Sequence, residues 1–130
     1  TYIFEHSEAQ ALIYDAALAT VLPSKLPTTV WAIDGGDAHP NYENLIANYP
    51  ATDPGVVVDE NEPFCIAYTS GTTGKPKGVL ISHRSRCLTF YATAIEWGLG
   101  PGRRTVAVAP MYHGAGFAFG YGAVSLVALW

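Results

Sequence analysis

Residues 68–78 read YTSGTTGKPKG. The segment carries Gly71, Gly74 and Gly78, hydroxyls on Thr69, Ser70, Thr72 and Thr73, the bases Lys75 and Lys77, and no acid. Glycine admits positive φ and lets backbone N–H groups come close to a ligand. Runs of such N–H groups form concavities that bind anions. Hydroxyls donate to phosphate oxygens, and a lysine adds a point charge. A polyphosphate is the ligand that this chemistry fits best. The bland alternative is a surface loop rich in turn formers. The spacing is not that of a Walker A loop, because Pro76 stands after Lys75 where that pattern needs Ser or Thr. An ordinary P-loop kinase or GTPase is therefore disfavoured.

Charge is distributed in keeping with an anion site in the second half. The net charge is −4 over 130 residues. Residues 1–62 hold ten acids and the single base Lys25, a net −9; residues 63–130 hold six bases and the single acid Glu96, a net +5. A globally basic nucleic-acid binder is disfavoured by the total. Charged residues make up only 14% of the chain, against about 25% in typical globular domains. Either the surface is covered by something else or the chain is part of a larger body. The chain starts at Thr1 and stops at Trp130 within an apolar run, so its ends are expected to be cut.

Outward from the loop, the sequence predicts alternating strands and helices. Residues 7–21 suit a helix capped by Ser7 and stopped by Pro23 and Pro27. Residues 29–33, TVWAI, predict a buried strand, followed by a turn over 34–37 and a short helix over 41–49. Residues 51–63 form an acidic connector. Residues 64–69 predict a second strand, 70–78 a loop, and 79–81 a short continuation strand. Ser82 is the expected N-cap of a helix reaching Trp97, which Gly98 ends. Residues 105–109, TVAVA, predict a third strand, then a loop over 110–116 and a small-residue helix. This alternation implies an α/β layer architecture. Residues 105–130 lack charge and are long enough to span a bilayer, but Pro110, His113 and the glycines favour a buried strand–loop–helix.

The loop with its continuation, YTSGTTGKPKG followed by VLISHR, closely resembles the phosphate-loop signature of the adenylate-forming superfamily. That group includes acyl-CoA synthetases, aryl-CoA ligases, luciferases and the adenylation domains of peptide synthetases. A second element agrees. Pro110, Met111, Tyr112 and His113 resemble the P-x-[FY]-H segment at the superfamily's acyl pocket. The resemblance is firm over residues 64–117 and general before them. It implies a layered fragment, residues 1–130, of the large N-terminal AMP-binding domain, with the phosphate loop at 68–78 and the acyl-pocket segment at 110–117.

By that resemblance Thr69, Ser70, Gly71, Thr72, Thr73, Gly74 and Lys77 wrap the β- and γ-phosphates of ATP, and Thr72 or Thr73 neighbours Mg²⁺. Lys75 occupies a variable position. His113 lies beside the carboxylate being activated, and Gly114 and Ala115 shape the pocket. The implied reaction has two steps. A carboxylate attacks the α-phosphorus of ATP to give an acyl-adenylate and pyrophosphate, and a thiol, usually coenzyme A, then displaces AMP. The superfamily's catalytic lysine, adenine pocket and ribose-binding aspartate are expected downstream, in sequence that this chain does not contain. No catalytic residue is thus assigned here, and the 130 residues alone are expected not to catalyse acyl activation. The expected partners are a small carboxylic acid and the remainder of the same chain, with no nucleic acid and no stable membrane span.

Other residues have plainer readings. Cys65 and Cys87 predict buried free thiols rather than a disulfide framework, consistent with a cytoplasmic setting. Arg84 and Arg86 read as a solvated helix face, and Arg103–Arg104 as a surface pair. Tyr2, Phe4, Tyr14, Phe90, Tyr91 and Trp97 read as packing residues. Gly114, Gly116, Gly120 and Gly122 either permit close packing or leave room for an acyl group. The nearest rival function is an amino-acid adenylation domain, whose loop usually has Ser at the Thr72 position and a Phe-Asp pair in place of Tyr112–His113. A non-catalytic nucleotide-binding remnant is a third reading.

Overall fold

The computed structural model describes residues 2–35, 38–70 and 74–128, with the backbone alone for 125–128. The chain divides into two compact units. Unit 1 comprises Thr1–Val57 and Thr69–Gly78, and unit 2 comprises Val58–Tyr68 and Val79–Trp130.

In unit 1, α1 spans Tyr2–His6 and β1 spans Ala11–Asp15. A 3-10 helix over Ala16–Val21 follows, and then β2 over Thr29–Ile33. β1 and β2 pair in parallel, with Ala11 opposite Thr29 and Asp15 opposite Ile33. The helix expected over 7–21 is thus replaced by a strand and a short 3-10 helix. Its apolar residues fit two periods, and pairing with β2 selects the period of two, which buries Tyr14 and exposes its neighbours. Glu8 takes φ +54° after the end of α1, which breaks the helical path before Ala11. Asp15 Oδ1 accepts from the Ala17 N–H at 2.9 Å and caps the 3-10 turn.

Tyr14 (6% exposed) and Ala32 (fully buried) are the buried hydrophobic residues among those described. The Tyr14 hydroxyl lies 2.9 Å from His39 Nδ1, with the two rings edge to face at 88°. Asp34 and Gly35 turn the chain after β2 with positive φ; Gly36 and Asp37, the rest of the expected turn, lie outside the described residues. Asn41 caps α2, Tyr42–Ile46, by accepting from the N–H groups of Glu43 and Asn44. This is the short helix expected over 41–49.

β3, Pro63–Thr69, and β4, Lys77–Ser82, pair as a second two-stranded sheet. β4 starts two residues earlier than expected, so Lys77 is a strand residue rather than a loop residue. In unit 2, α3 spans His83–Trp97 and α4 spans Gly114–Ala128. Ser82 Oγ accepts from the Ser85 N–H, and Gly98 closes α3 at φ +62°, as the sequence predicts. α3 packs on α4: Trp97 stacks on Phe119 at 4.7 Å and 11°, and Phe90 stacks on Phe117 at 6.1 Å.

Residues 105–109 do not form the expected third strand. A strand needs a neighbour to satisfy its backbone, and no described residue pairs with this segment. Val106 and Val108 stand 75% and 88% exposed. Cys87 is exposed and Cys65 half-buried, which corrects the expectation of two buried thiols. Cys87 lies on α3, none of whose residues is buried.

Candidate phosphate-loop and acyl-pocket site

The expected phosphate loop joins β3 to β4. Thr69 ends β3 and Lys77 opens β4, and the Thr69 hydroxyl donates to the Lys77 carbonyl at 3.5 Å. That bond closes the base of the loop and brings two of the expected phosphate ligands together. Gly74 holds φ +87°, with nothing within 4 Å of the position a Cβ would take. A side chain there would be strained by the backbone, not by crowding. Thr69, Ser70, Gly74 and Lys77 are exposed. Gly71, Thr72 and Thr73 lie outside the described residues.

Among the described residues neither Lys75 nor Lys77 forms an ion pair. Two cations and several exposed donors therefore stand on a segment that contains no acid. Such an array suits a multiply charged anion. Tyr2 also reaches this loop. Its hydroxyl donates to the Pro76 carbonyl at 3.1 Å, and Lys75 Nζ lies 5.8 Å from its ring centre. From sequence alone Tyr2 reads as a packing residue. The contact joins positions 74 residues apart, and no local pattern signals it.

His113 immediately precedes α4. Its Nδ1 accepts from the Ala115 N–H at 3.2 Å, while its backbone N–H donates to the Pro110 carbonyl. The Nδ1 lone pair is thus engaged, which places the proton of the neutral ring on Nε2 and leaves an N–H donor there. The expected pocket residues His113 and Ala115 are brought together by this bond, and Gly114 between them is open on its Cβ side. The phosphate-loop residues from Thr69 to Gly78 belong to unit 1 and these three to unit 2.

The other glycines of α4 resolve toward packing. A Cβ on Gly116 would fall 2.1 Å from the Pro110 carbonyl oxygen, and one on Gly120 2.5 Å from the Met111 side chain. One on Gly122 would meet the Phe90 ring at 3.2 Å.

Arg86 departs most from expectation. The Arg86 guanidinium carbon lies 5.0 Å from the Phe117 ring centre, 5.9 Å from that of Phe90 and 6.0 Å from that of Phe64. Its Nη2 donates to Cys65 Sγ at 3.8 Å. The residue is half-buried, so the solvated-face reading holds only for Arg84, which pairs with Glu60 at 2.6 Å. Three aromatic rings from three elements replace water around Arg86.

No described helix is long and apolar enough to cross a membrane. No group of three or more His, Cys, Asp or Glu side chains among the described residues is placed to hold a metal ion.

Comparison with known proteins gives this geometry a family. The family model for AMP-binding enzymes matches residues 1–127. A medium-chain-fatty-acid–CoA ligase of Ectopseudomonas oleovorans is 35% identical over 132 residues, covering 87% of this chain and 23% of its own. A linear gramicidin synthase polypeptide of Brevibacillus parabrevis is 32% identical over 105 residues, covering 81% of this chain and 1% of its own. The crystal structure of a long-chain-fatty-acid–CoA ligase from Archaeoglobus fulgidus superposes with a TM-score of 0.80 at 24% identity, over 97% of this chain and 25% of that one. The chain thus spans about a quarter of the length of the ligases it matches. A mixed strand–helix segment with small sheets and with the phosphate-loop signature between β3 and β4, matched almost end to end by the family model, belongs to the AMP-binding enzyme family.

Proposed function

We propose that this chain is a segment, residues 1–130, of the N-terminal domain of an ATP-dependent acid–thiol ligase. The observation that carries the reading is the YTSGTTGKPKG loop at the β3–β4 turn, its base closed by Thr69 and Lys77 and its two lysines free of ion pairs among the described residues. The likeness to a medium-chain-fatty-acid–CoA ligase supports a carboxylic acid as substrate and coenzyme A as thiol.

In this reading residues 68–78 cradle the β- and γ-phosphates through Thr69, Ser70, Gly71, Thr72, Thr73, Gly74 and Lys77. Carboxylate is a poor acylating group. Its oxygen attacks the α-phosphorus, the bond to the bridging oxygen breaks, and pyrophosphate leaves. Loop donors offset the charge that builds on the departing pyrophosphate, as preorganised dipoles do at phosphoryl sites. Phosphate binding far from the reacting atoms also holds the α-phosphorus for in-line attack. The thiol sulfur then bonds to the acyl carbon, AMP leaves, and the thiol proton passes to solvent.

His113, with Gly114 and Ala115, borders the acid. Its Nε2–H is the donor that meets a carboxylate oxygen. Mg²⁺ commonly keeps several waters and is held by substrate phosphates with one or two carboxylates. The described residues do not fit a protein-held metal, and the loop offers it no acid. Thr72 or Thr73, both outside the described residues, supplies the hydroxyl that neighbours it. A cytoplasmic setting and catalysis only by the longer enzyme complete the proposal.

The test is thioester formation by an enzyme of family length carrying this segment, with ATP, free coenzyme A and a panel of fatty, aryl and amino acids. A fatty or aryl acyl-CoA product supports the proposal. Adenylation of amino acids alone, with no free CoA thioester, moves the assignment to a peptide-synthetase adenylation domain, for which the gramicidin synthase likeness speaks. Tyr112–His113 in place of Phe-Asp favours the CoA ligase. No activity with any acid moves it to a nucleotide-binding remnant.

A further inference from the structure

The two lysines of the loop stand in different surroundings. Lys77 opens β4 as an exposed residue, and its carbonyl accepts from Thr69. Lys75 instead places its Nζ 5.8 Å from the Tyr2 ring centre. The next residue, Pro76, lends its carbonyl to the Tyr2 hydroxyl at 3.1 Å. One side chain of α1 therefore touches two successive loop residues, by its face and by its hydroxyl. Lys75 precedes a proline, which restricts it to extended backbone. Pro76 itself has a fixed φ. The Lys75–Pro76 pair is thus stiff, and a hold on both residues fixes where Lys77 emerges. Tyr2, Phe4, Pro23, Lys75 and Pro76 line an open, largely apolar pocket of about 660 Å³.

We propose that Tyr2 is a positioning residue of the phosphate loop, with Lys75 as its grip and Lys77 as the lysine that meets phosphate. The proposal rests on the phosphate-loop reading above. It divides the work of the two cations: Lys75 holds the loop through an aromatic face, and Lys77 supplies charge to the ligand. A cation over a tyrosine face is attracted by the ring quadrupole, and the attraction needs the ring but not the hydroxyl. The hydroxyl bond adds a second, separable restraint.

The experiment has two arms on an enzyme of family length carrying this segment and on its variants. The first needs no ligand. A proton above an aromatic face is shifted upfield, so the Lys75 ε-methylene resonances are expected upfield of those of Lys77. Tyr2→Phe keeps that shift and Tyr2→Leu abolishes it. The second arm titrates inorganic pyrophosphate. Tyr2→Phe is expected to weaken binding about threefold, through loss of one neutral hydrogen bond. Tyr2→Leu weakens it about tenfold, as ring contact and bond go together. Lys75→Gln in the Tyr2→Leu background adds nothing further, because the two residues act as one unit. Lys77→Ala is expected to weaken binding about tenfold or more in every background, the loss of one charge-assisted bond.

A Lys75 methylene at its ordinary position in the wild-type chain overturns the proposal. So does pyrophosphate affinity unchanged in Tyr2→Leu, or a full additive loss from Lys75→Gln in that background. A wild-type chain that takes up no pyrophosphate overturns the phosphate-loop reading instead, and the methylene shift then decides by itself whether Tyr2 holds Lys75.

Discussion

The guanidinium carbon of Arg86 lies 5.0 Å from the centre of the Phe117 ring, which joins α3 to α4. Phe64 and Phe90 complete the surround at 6.0 and 5.9 Å. The Arg86 Nε is buried with no hydrogen-bond partner. A cation held this way contributes through ring contact and stem packing, offset by the desolvation of one N–H. Arg86→Ala is expected to destabilise unit 2 by about 2 kcal/mol. Arg86→Met keeps the stem volume and removes the unpaired N–H, so its cost is expected to be less than half as large. Urea unfolding followed by amide hydrogen exchange of α3 measures both. Equal losses would mean that the charge, not the packing, carries the contact.

Two glycines of α4 separate crowding from propensity. Gly116→Ala would press a methyl to 2.1 Å from the Pro110 carbonyl oxygen and 2.4 Å from that of Ala109. Backbone must move, and a loss of about 3 kcal/mol is expected. Gly114→Ala meets nothing within 4 Å and is expected to cost nothing or to gain about 0.5 kcal/mol from helix propensity. Thermal unfolding of the pair gives the comparison.

His113 acts as a side-chain acceptor at the start of α4, with Nδ1 3.2 Å from the Ala115 nitrogen. Nitrogen-detected NMR of the neutral ring is expected to find Nδ1 unprotonated and Nε2 protonated. His113→Asn keeps an acceptor there and His113→Leu does not. The leucine variant is therefore expected to be less stable than the asparagine variant by about 1 kcal/mol.

Glu5 carries a pH-dependent contact of unit 1. Lys25 Nζ donates to Glu5 Oε1 at 2.8 Å, and the bond and the charge together hold the Glu5 carboxyl below its usual range. A group whose folded pKa is depressed adds stability above its unfolded pKa and loses it as pH falls through the folded value. The contribution is thus present at neutral pH and disappears on acidification below the ordinary glutamate range. Carboxyl-carbon NMR titration is expected to show Glu5 titrating lower in the wild type than in Lys25→Gln. The pair is exposed, so raising the salt concentration narrows the difference.

Much of unit 2 was legible because its signals are local. Ser82 and Gly98 bound α3 as capping chemistry requires, and residues 64–69 carry the strand pattern that β3 adopts. The failures lie where a partner decides. Residues 7–21 fit helix and strand periods alike, and only β2 pairing settles Ala11–Asp15 as a strand. Residues 105–109 have strand composition, but composition does not supply a neighbour. The site shows the same division. The loop's glycines, hydroxyls and lysines announce anion chemistry in one stretch of chain. Tyr2 reaches that loop from 74 residues away, and Arg86 looks like any surface arginine until three phenyl rings close around it. Their signals exist only in three dimensions.

If residues 68–78 bind the phosphates of ATP during acid activation, with Lys77 as the charged ligand, pyrophosphate must pass through this loop in both directions. Acid-dependent exchange of labelled pyrophosphate into ATP, by an enzyme of family length carrying this segment, reads that passage. Exchange is expected with a carboxylic acid, with a fall of about tenfold or more in Lys77→Ala, the loss expected for one charge-assisted bond. Exchange that is absent with every acid, or equally fast in Lys77→Ala, would contradict the assignment.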